Sequence, residues 1–317
     1  MSTTWEHSED IVLQTSWAIC FTVMPSEAEG APLKFVWGGL NNTATIVGCG
    51  GSSEQIKHHG HTAFVASVSV APDKETVASG SGDGTVKIWA KGECVQTLSK
   101  HGGSAVTAVA WHPTSGKLAS GGCDNAVILY SGEPGSMSQE KKYAEHEDDC
   151  NAIAWSSNGE LIASGGDDGV IKVYPETTCK PRGKKLRITS VCFSPDSLQV
   201  AGGASDGTVR LFKSSGGGGR VFKHGEGPCS SVVWNSHGLW SGGWNKRLTL
   251  WTNNGKIVQS IRTGSKVFSV DATPGGGEIC ATTQAGKLMI WKPTKKEAGS
   301  LVKQILSVFT VDVSQFQ

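Results

Sequence analysis

The sequence lacks a surplus of charge of either sign. Lys and Arg number 29, Asp and Glu number 28, and the formal net charge is +1 at pH 7. This balance argues against a general electrostatic affinity for nucleic acid or anionic membranes, although a local patch remains compatible with it. No apolar run is long enough to cross a bilayer, and the polar, acidic start MSTTWEHSED predicts no signal peptide. We therefore expect a protein without membrane contact that is cytoplasmic, with the nucleus as an alternative location.

The cysteines form no recognisable chemical motif. There are nine of them, without a CxxC pair and without a regular metal-ligand spacing. They are expected to be reduced and mostly buried thiols, and we expect no metal and no cofactor. The 42 glycines and only 18% charged residues favour many tight turns over long helices. The length of 317 residues fits either two ordinary domains or one large β domain.

A short segment recurs along the chain. ASGSGDGTVKIW at 78–89 has near-copies at 119–130, 163–174 and 201–212. Its last residue has equivalents 38 to 44 residues apart: Val47, Trp89, Tyr130, Tyr174, Phe212, Trp251 and Trp291. β-branched, alternating runs precede and follow each copy, at 65–70, 106–111, 150–155, 188–193 and 267–272 before the turns, and at 94–98 and 257–261 after the aromatics. Each unit therefore predicts four short strands, and a period near 40 residues is that of a propeller blade.

The units resemble WD repeats, in which a Gly-His precedes the first strand and an aromatic residue ends the third. His61, His101, His146 and His224 precede the turn residues Asp83, Asp124, Asp168 and Asn245 by 22, 23, 22 and 21 residues. The resemblance implies an all-β fold, a seven-bladed WD40 β-propeller with four-stranded antiparallel blades. We expect one domain over 1–317, with blades at about 16–57, 58–98, 99–143, 144–186, 187–223, 224–262 and 263–305. The candidate strands that close the ring are residues 11–15 and the tail 301–317.

The resemblance also implies a buried hydrogen-bond network in the stronger blades. The Trp N–H would donate to Ser, Ser to His, and His to the Asp carboxylate. The residues expected in these networks are His61, Ser79, Asp83 and Trp89; His101, Ser120 and Asp124; His146, Ser164 and Asp168; and His224, Ser241, Asn245 and Trp251. Blades one, five and seven lack the histidine and are expected to be weaker.

Ser, His and Asp are also the residue types of a hydrolase triad. Three complete sets at the same place in a repeat favour a structural role, because an enzyme needs one exposed nucleophile. The segment 203–207 fits G-x-S-x-G, but a nucleophile elbow requires a following helix and here TVRLF predicts a strand. We therefore expect no catalytic residue, no enzyme activity and no small-molecule substrate.

Function is then expected on surfaces built from loops. In WD propellers, residues before the turn Asp and at the start of the first strand commonly face protein partners on the narrow face. Aromatic anchors and an acidic sector beside a basic residue would suit a partly basic peptide segment. The candidate partner-binding residues are Phe64, Asp149, Asp167, Arg187, Trp244, Lys266, Phe268 and Gln284. The alternative to a binding face is that these loops are simply solvated and their aromatic side chains are half-packed on neighbouring residues.

A second feature is the run KPRGKKLR at 180–187. Its basic residues, Lys180, Arg182, Lys184, Lys185 and Arg187, could contact phosphate or serve in nuclear import, or simply keep an exposed loop solvated. Length and blade count also resemble the receptor-for-activated-C-kinase family, a signalling scaffold on the small ribosomal subunit. The chain departs from that family at the first-blade turn, 40–43, which reads LNNT where the family carries basic residues.

The leading functional hypothesis is a non-enzymatic scaffold or adaptor that docks protein segments within a larger multiprotein assembly. The alternatives are a divergent member of that kinase-receptor family, associated with the small ribosomal subunit and signalling, and an RNA-associated adaptor acting through 180–187. The expected partners are proteins, with the ribosome or RNA as a second class.

Overall fold

The computed structural model describes residues 3–12, 18–24, 33–48, 55–143, 146–175, 177–179, 186–273 and 277–295. In this described part, 28 strands form seven separate sheets, each of four antiparallel strands, and no residue is helical. The predicted seven-bladed, all-β propeller is confirmed. None of the described residues lies in a helix that is long and apolar enough to span a bilayer.

Six blades follow the chain in simple order from the innermost to the outermost strand. In blade 1 these strands are β2 (Ala18–Met24), β3 (Lys34–Gly39), β4 (Thr43–Gly48) and β5 (Gln55–His59). Blade 2 has β6 (Val65–Val70), β7 (Val77–Ser81), β8 (Val86–Ala90) and β9 (Glu93–Leu98), and blade 3 has β10 (Val106–Trp111), β11 (Leu118–Gly122), β12 (Val127–Ser131) and β13 (Ser138–Tyr143). Blade 4 has β14 (Cys150–Trp155), β15 (Ile162–Gly166), β16 (Ile171–Tyr174) and β17 (Thr177–Cys179), and blade 5 has β18 (Ile188–Phe193), β19 (Gln199–Ala204), β20 (Thr208–Lys213) and β21 (Arg220–Lys223). Blade 6 has β22 (Cys229–Asn235), β23 (Gly238–Gly243), β24 (Arg247–Trp251) and β25 (Ile257–Arg262).

Blade 7 joins the two ends of the described chain. Its inner strands are β26 (Val267–Ala272), β27 (Ile279–Thr283) and β28 (Lys287–Lys295), and its outermost strand is the N-terminal β1 (Thr3–Val12). β1 pairs antiparallel with β28, from Thr3 opposite Lys295 to Val12 opposite Lys287. The closing strand therefore begins well before the candidate segment 11–15, of which residues 13–15 lie outside the described residues. The candidate tail 301–317 lies outside them as well.

The apolar core lies between the blades. The buried residues of the described part group into seven clusters, and each cluster draws its members from two neighbouring blades. Phe21 and Trp37 of blade 1, for example, pack with Leu288 and Ile290 of blade 7. A four-stranded sheet of this size cannot bury both faces by itself, so each blade is stabilised by the blades beside it.

The innermost strands are also linked by polar side chains. Each carries a β-bulge at its second residue. At three of these bulges Thr107, Thr189 and Ser230 donate hydroxyl hydrogen bonds to a backbone carbonyl of the next blade: Cys150, Cys229 and Val267. At the seam between blades 7 and 1, Asp271 accepts hydrogen bonds from the Thr22 hydroxyl at 3.0 Å and the Val23 N–H at 2.9 Å.

The repeated turn joins the second and third strands of each blade. The residue after the position of Asp83, which is Asp in four blades, has a positive φ in all seven turns, as at Gly84 with 80° and Lys246 with 61°. Glycine adopts this conformation without steric cost, which explains the Asp-Gly pairs of the repeat. The Asp83 carboxylate accepts from the Thr85 N–H at 2.9 Å and from its hydroxyl at 2.6 Å, which fixes the turn locally.

Candidate protein-binding face

One end of the propeller carries both the histidine networks and the candidate binding residues. The pairing of β6 with β7 places Val65, at the start of the first strand, opposite Ser81, at the end of the second. The turn that carries Asp83 follows Ser81, and His61 precedes Val65. We call this end, in all blades, the turn face; the opposite end carries the connections between first and second strands.

Blade 2 contains the complete network. The Trp89 indole N–H donates to the Ser79 hydroxyl at 2.7 Å, and Ser79 and Asp83 both lie 2.8 Å from the His61 ring nitrogens. Burial opposes ionisation of Asp83, but hydrogen bonds from Thr85 and His61 outweigh it and hold the pKa of Asp83 at about 2. Burial lowers the pKa of His61, and Asp83 opposes this effect. The imidazole is therefore a neutral bridge between the turn and Ser79 of the second strand, which in turn accepts from Trp89 of the third strand.

Blades 3 and 4 repeat the arrangement with tyrosine in place of tryptophan. His101 lies 2.6 Å from Asp124 and 2.7 Å from Ser120, and His146 has contacts of 2.8 and 2.7 Å in blade 4. In these blades the serines, Ser120 and Ser164, lie 3.3 Å from the hydroxyls of Tyr130 and Tyr174. The link from the serine to the aromatic residue is thus present in these blades but longer than in blade 2.

Blade 6 keeps the serine and tryptophan but changes the turn contact. The Trp251 indole donates to Ser241 at 2.7 Å, and Ser241 lies 2.8 Å from His224. The Asn245 amide donates to the backbone carbonyl of His224 at 2.8 Å. Because no carboxylate faces this ring, burial dominates and lowers the pKa of His224 to about 4.

Blade 5 replaces the missing histidine by a different pair. Arg210, with only 4% of its surface exposed, donates to the turn carboxylate of Asp206 at 3.2 Å and to Thr208 at 3.2 Å. A buried guanidinium needs such a partner. In the sequence, the only sign of this replacement of histidine is Arg210, four residues after Asp206.

The serines of the histidine networks are not available as the nucleophile of a hydrolase triad. Ser79, Ser120, Ser164 and Ser241 have no exposed surface, and each is hydrogen-bonded within its blade. Ser205 of the G-x-S-x-G segment is followed by strand β20 and its N–H donates to the Arg187 carbonyl. Among the described residues, no group of three or more His, Cys, Asp or Glu is placed to hold a metal ion.

The candidate positions before each turn residue and those before each first strand are joined by a backbone hydrogen bond that recurs from blade to blade. The N–H of the residue before the turn Asp donates to the carbonyl of the residue before the first strand. This bond joins Gly82 to Phe64, Cys123 to Ala105, Asp167 to Asp149, Ser205 to Arg187, Trp244 to Pro228 and Gln284 to Lys266, over 2.8 to 3.0 Å. The candidate residues therefore surround the turn face as adjacent pairs.

Among the described residues that carry or flank the turns of the turn face, the large apolar side chains that are exposed lie on blades 6, 1 and 2. Trp244 is 44% exposed, Phe64 39% and Leu40 54%. The Lys266 ammonium lies 4.0 Å from the centre of the Trp244 ring, a cation–π contact that orients the indole. The Phe64 ring lies over Gly82, where a side chain would collide with it. Phe268 is half-buried at the bulge of β26, so it offers less surface to a partner than Phe64 and Trp244 do.

The acidic residues lie across the ring on blade 4. The Asp167 carboxylate accepts from the Arg187 guanidinium at 2.6 Å and from the Asn151 amide. Its charge is therefore engaged, and this contact raises the pKa of Arg187. Asp149 stands next to Cys123, whose pKa burial and this carboxylate raise to about 11. On blade 4, the carboxylates that remain for a basic partner are those of Asp149 and the exposed Glu147, and they do not form a continuous acidic surface.

Of the five basic residues in the run 180–187, only Arg187 belongs to the described residues. Its guanidinium points to Asp167, so its charge is used within the turn face. Lys180, Arg182, Lys184 and Lys185 lie outside the described residues. Gln284 is exposed beside Lys266.

Sequence reasoning missed a pair of glutamine clamps on the outer strands. The Gln96 amide donates to the Met137 carbonyl at 2.8 Å and accepts from its N–H at 2.9 Å. Gln259 makes the same two bonds to Trp5, both at 3.0 Å. The signal was present, because both glutamines occur in a V-Q-[TS] run of an outer strand.

The comparisons with known proteins agree with this architecture. The family model described as IFT122 first beta-propeller matches residues 46–292. The chain belongs to this family. Its WD-repeat character, predicted from the His, Asp and aromatic spacing, is thereby confirmed.

Individual relatives match over shorter stretches. The Ribosome biogenesis protein BOP1 homolog of Drosophila virilis is 47% identical over 64 residues, 20% of this chain and 8% of the relative. The Periodic tryptophan protein 2 homolog of Schizosaccharomyces pombe is 29% identical over 126 residues, 37% and 14% of the two chains. The Small ribosomal subunit protein RACK1y of Oryza sativa subsp. japonica is 29% identical over 192 residues, 55% of this chain and 54% of the relative. The chain thus spans from under a tenth to about half the length of these relatives.

Proposed function

We propose that this protein is a non-enzymatic scaffold that docks segments of partner proteins on the turn face of its propeller. The observation that carries the proposal is the pairing of candidate positions around one face, with Phe64 and Trp244 exposed on it. Exposed aromatics held by their neighbours make good anchors because little side-chain entropy is lost on binding. Asp149 and Glu147 add acceptors for a basic side chain of the partner.

A pull-down from the native cell with mass spectrometry tests this proposal. Trp244→Ala and Asp149→Lys are expected to lose partners that the unchanged protein retains. Leu198→Ala is the matched control, because Leu198 is 65% exposed but lies in a connection between first and second strands, on the opposite end. A partner list that is identical for all three variants would remove the turn face as the docking site.

A second candidate function is association with the ribosome or its RNA. The names of the relatives, ribosome biogenesis protein and small ribosomal subunit protein, favour it, as does the basic run at 180–187. The contact would use Lys180, Arg182, Lys184 and Lys185, since Arg187 pairs with Asp167. In these roles we expect the protein to act in the cytoplasm or the nucleus.

Co-sedimentation with polysomes and pre-ribosomal particles tests the second candidate. Changing Lys180, Arg182, Lys184 and Lys185 to Glu is expected to abolish co-sedimentation and its salt dependence, because phosphate contacts release counterions. Arg187→Glu alone is the control and is expected to have a smaller effect. Unchanged co-sedimentation of the fourfold variant would exclude this run as the contact.

A further inference from the structure

A cavity of about 280 Å³ lies in the groove between blades 3 and 4, and the turn-face proposal does not use it. His112 and Lys117 reach it from the connection between β10 and β11, and Gly159 and Glu160 from the connection between β14 and β15. These connections belong to the end opposite the turn face. We call this cavity the 3–4 groove.

Aromatic rings dominate the groove. Tyr143 and Tyr174 lie with their ring centres 4.4 Å apart at an angle of 37°, and His112 lies edge-on to Trp155 at 4.7 Å. Both pairs line the cavity, together with the pyrrolidine ring of Pro175. The aliphatic side chains of Leu129 and Ile162 complete the lining. One outer strand beside it, β17, has three residues and is the shortest strand in the described part of the chain.

The polar groups around the groove already have partners. The Lys117 ammonium lies 2.9 Å from Glu140, and Glu160 accepts from the Asn158 amide at 2.8 Å. The Trp155 indole N–H donates to the Ala110 carbonyl at 3.0 Å. A charged ligand would therefore find no unpaired charge among these side chains with which to form an ion pair.

The histidine in the groove is fixed and neutral. His112 Nδ1 accepts from the N–H groups of Thr114 and Ser115 at 3.1 and 3.0 Å, so the neutral ring carries its proton on Nε2. Burial lowers the pKa of His112, which keeps the ring uncharged at neutral pH. A cationic ligand is disfavoured further because the Lys141 ammonium already lies 4.5 Å from the centre of the Tyr143 ring.

These contacts define the chemistry of the occupant. A neutral, rigid ring gains contact with the aromatic walls without displacing an ion pair. A segment of polyproline II conformation presents such rings and loses little conformational entropy on binding. The volume is at the lower end for binding pockets and fits one or two residues rather than a large ligand.

We propose that the 3–4 groove binds a proline-containing extended segment of a partner protein, at a site separate from the turn face. A pyrrolidine ring packs between Trp155 and Tyr143, whose ring lies against the buried Tyr174. The rim side chains of Lys117 and Glu160 lie beside the peptide backbone.

The test is a titration of the full chain with a blocked decaproline peptide, followed by the indole N–H signal of Trp155 in NMR spectra. A Trp155→Phe variant assigns that signal. We expect a saturable shift with decaproline and none with a Gly-Ser peptide of equal length. The absence of a saturable shift in the unchanged protein overturns the proposal without reference to any variant.

Variants then locate the site. Tyr143→Ala is expected to weaken binding about tenfold or more, because it removes one wall of the groove, whereas Tyr143→Phe keeps the ring and the affinity. Trp244→Ala, on the turn face, is expected to bind decaproline unchanged, which separates this site from the proposed scaffold face. Equal affinity of the Tyr143→Ala variant, or tighter binding of a trimethyl-lysine peptide than of decaproline, would contradict the proposal.

Discussion

At the scale of single residues, the polar networks of blades 2 and 6 differ in the residue at the turn and hence in their charge behaviour. In blade 2 the Asp83 carboxylate opposes the effect of burial on His61, whereas in blade 6 the corresponding residue is the neutral Asn245. The folded state therefore resists protonation of His224 much more strongly than an unfolded chain does. Such a difference makes stability depend on pH.

The first prediction concerns this asparagine. With a folded pKa of about 4 and an ordinary unfolded value near 6.5, His224 binds a proton in the unfolded state first, so its contribution falls as pH drops from about 6.5 to about 4. Between pH 7 and pH 5 this loss is about 2 kcal/mol. Asn245→Asp restores a carboxylate, raises the pKa of His224 and is expected to reduce that loss.

Denaturant unfolding at pH 7 and pH 5 measures the effect. The matched control is Asn254→Asp, which adds the same charge in an exposed turn of the same blade. A pH dependence that is equal in the Asn245→Asp variant and the unchanged protein would contradict the assignment.

At the scale of strands, the outermost ones are attached to their neighbours by side chains as well as by their own sheet. Gln259 of β25 holds the backbone of β1, and Gln96 of β9 holds Met137 at the start of β13. The two clamps are chemically identical and lie in different parts of the ring. They form a matched pair for an experiment.

The second prediction is that Gln259→Ala speeds hydrogen exchange in β1, because Trp5 loses both backbone bonds to the neighbouring blade. Gln96→Ala is expected to leave β1 unchanged and to speed exchange around Met137 instead. Hydrogen exchange with mass spectrometry resolves the two peptides. Equal protection of β1 in all three proteins would show that pairing with β28 alone holds the closing strand.

At the scale of the whole molecule, stability depends on closing the ring. Seven apolar clusters in the described part of the chain bridge neighbouring blades, and the cluster between blades 6 and 7 includes Trp5 from the N-terminal strand. Its indole is 3% exposed and meets Trp240 edge-on at 5.0 Å. The N-terminal strand is thereby packed against blade 6 as well as paired with β28.

The third prediction is that Trp5→Ala destabilises the propeller by about 3–5 kcal/mol, because it opens a large cavity at the closing blade. The control is Trp244→Ala, since that indole is 44% exposed and its loss is expected to cost less than about 1 kcal/mol. Thermal unfolding of the two variants measures the difference. Similar midpoints for both would mean that Trp5 does not secure the closure.

The sequence by itself determined the repeat, its strands and its turns, because these depend on local patterns. The runs 65–70, 106–111, 150–155, 188–193 and 267–272 are all innermost strands, with the predicted bounds. The Asp-Gly turn was predictable because positive φ and a short carboxylate are local requirements. The spacing of His61, Ser79 and Asp83 likewise reflects one blade and its register.

Only the tertiary structure decided what depends on contacts between blades. β1 closes blade 7 by pairing with a strand more than 270 residues away, and no local pattern sets its extent. The pairing of Arg187 with Asp167 and the 3–4 groove both arise where two blades meet. Periodicity specifies which face of a strand is apolar, but the geometry of packed neighbours determines which polar groups find partners and where space remains.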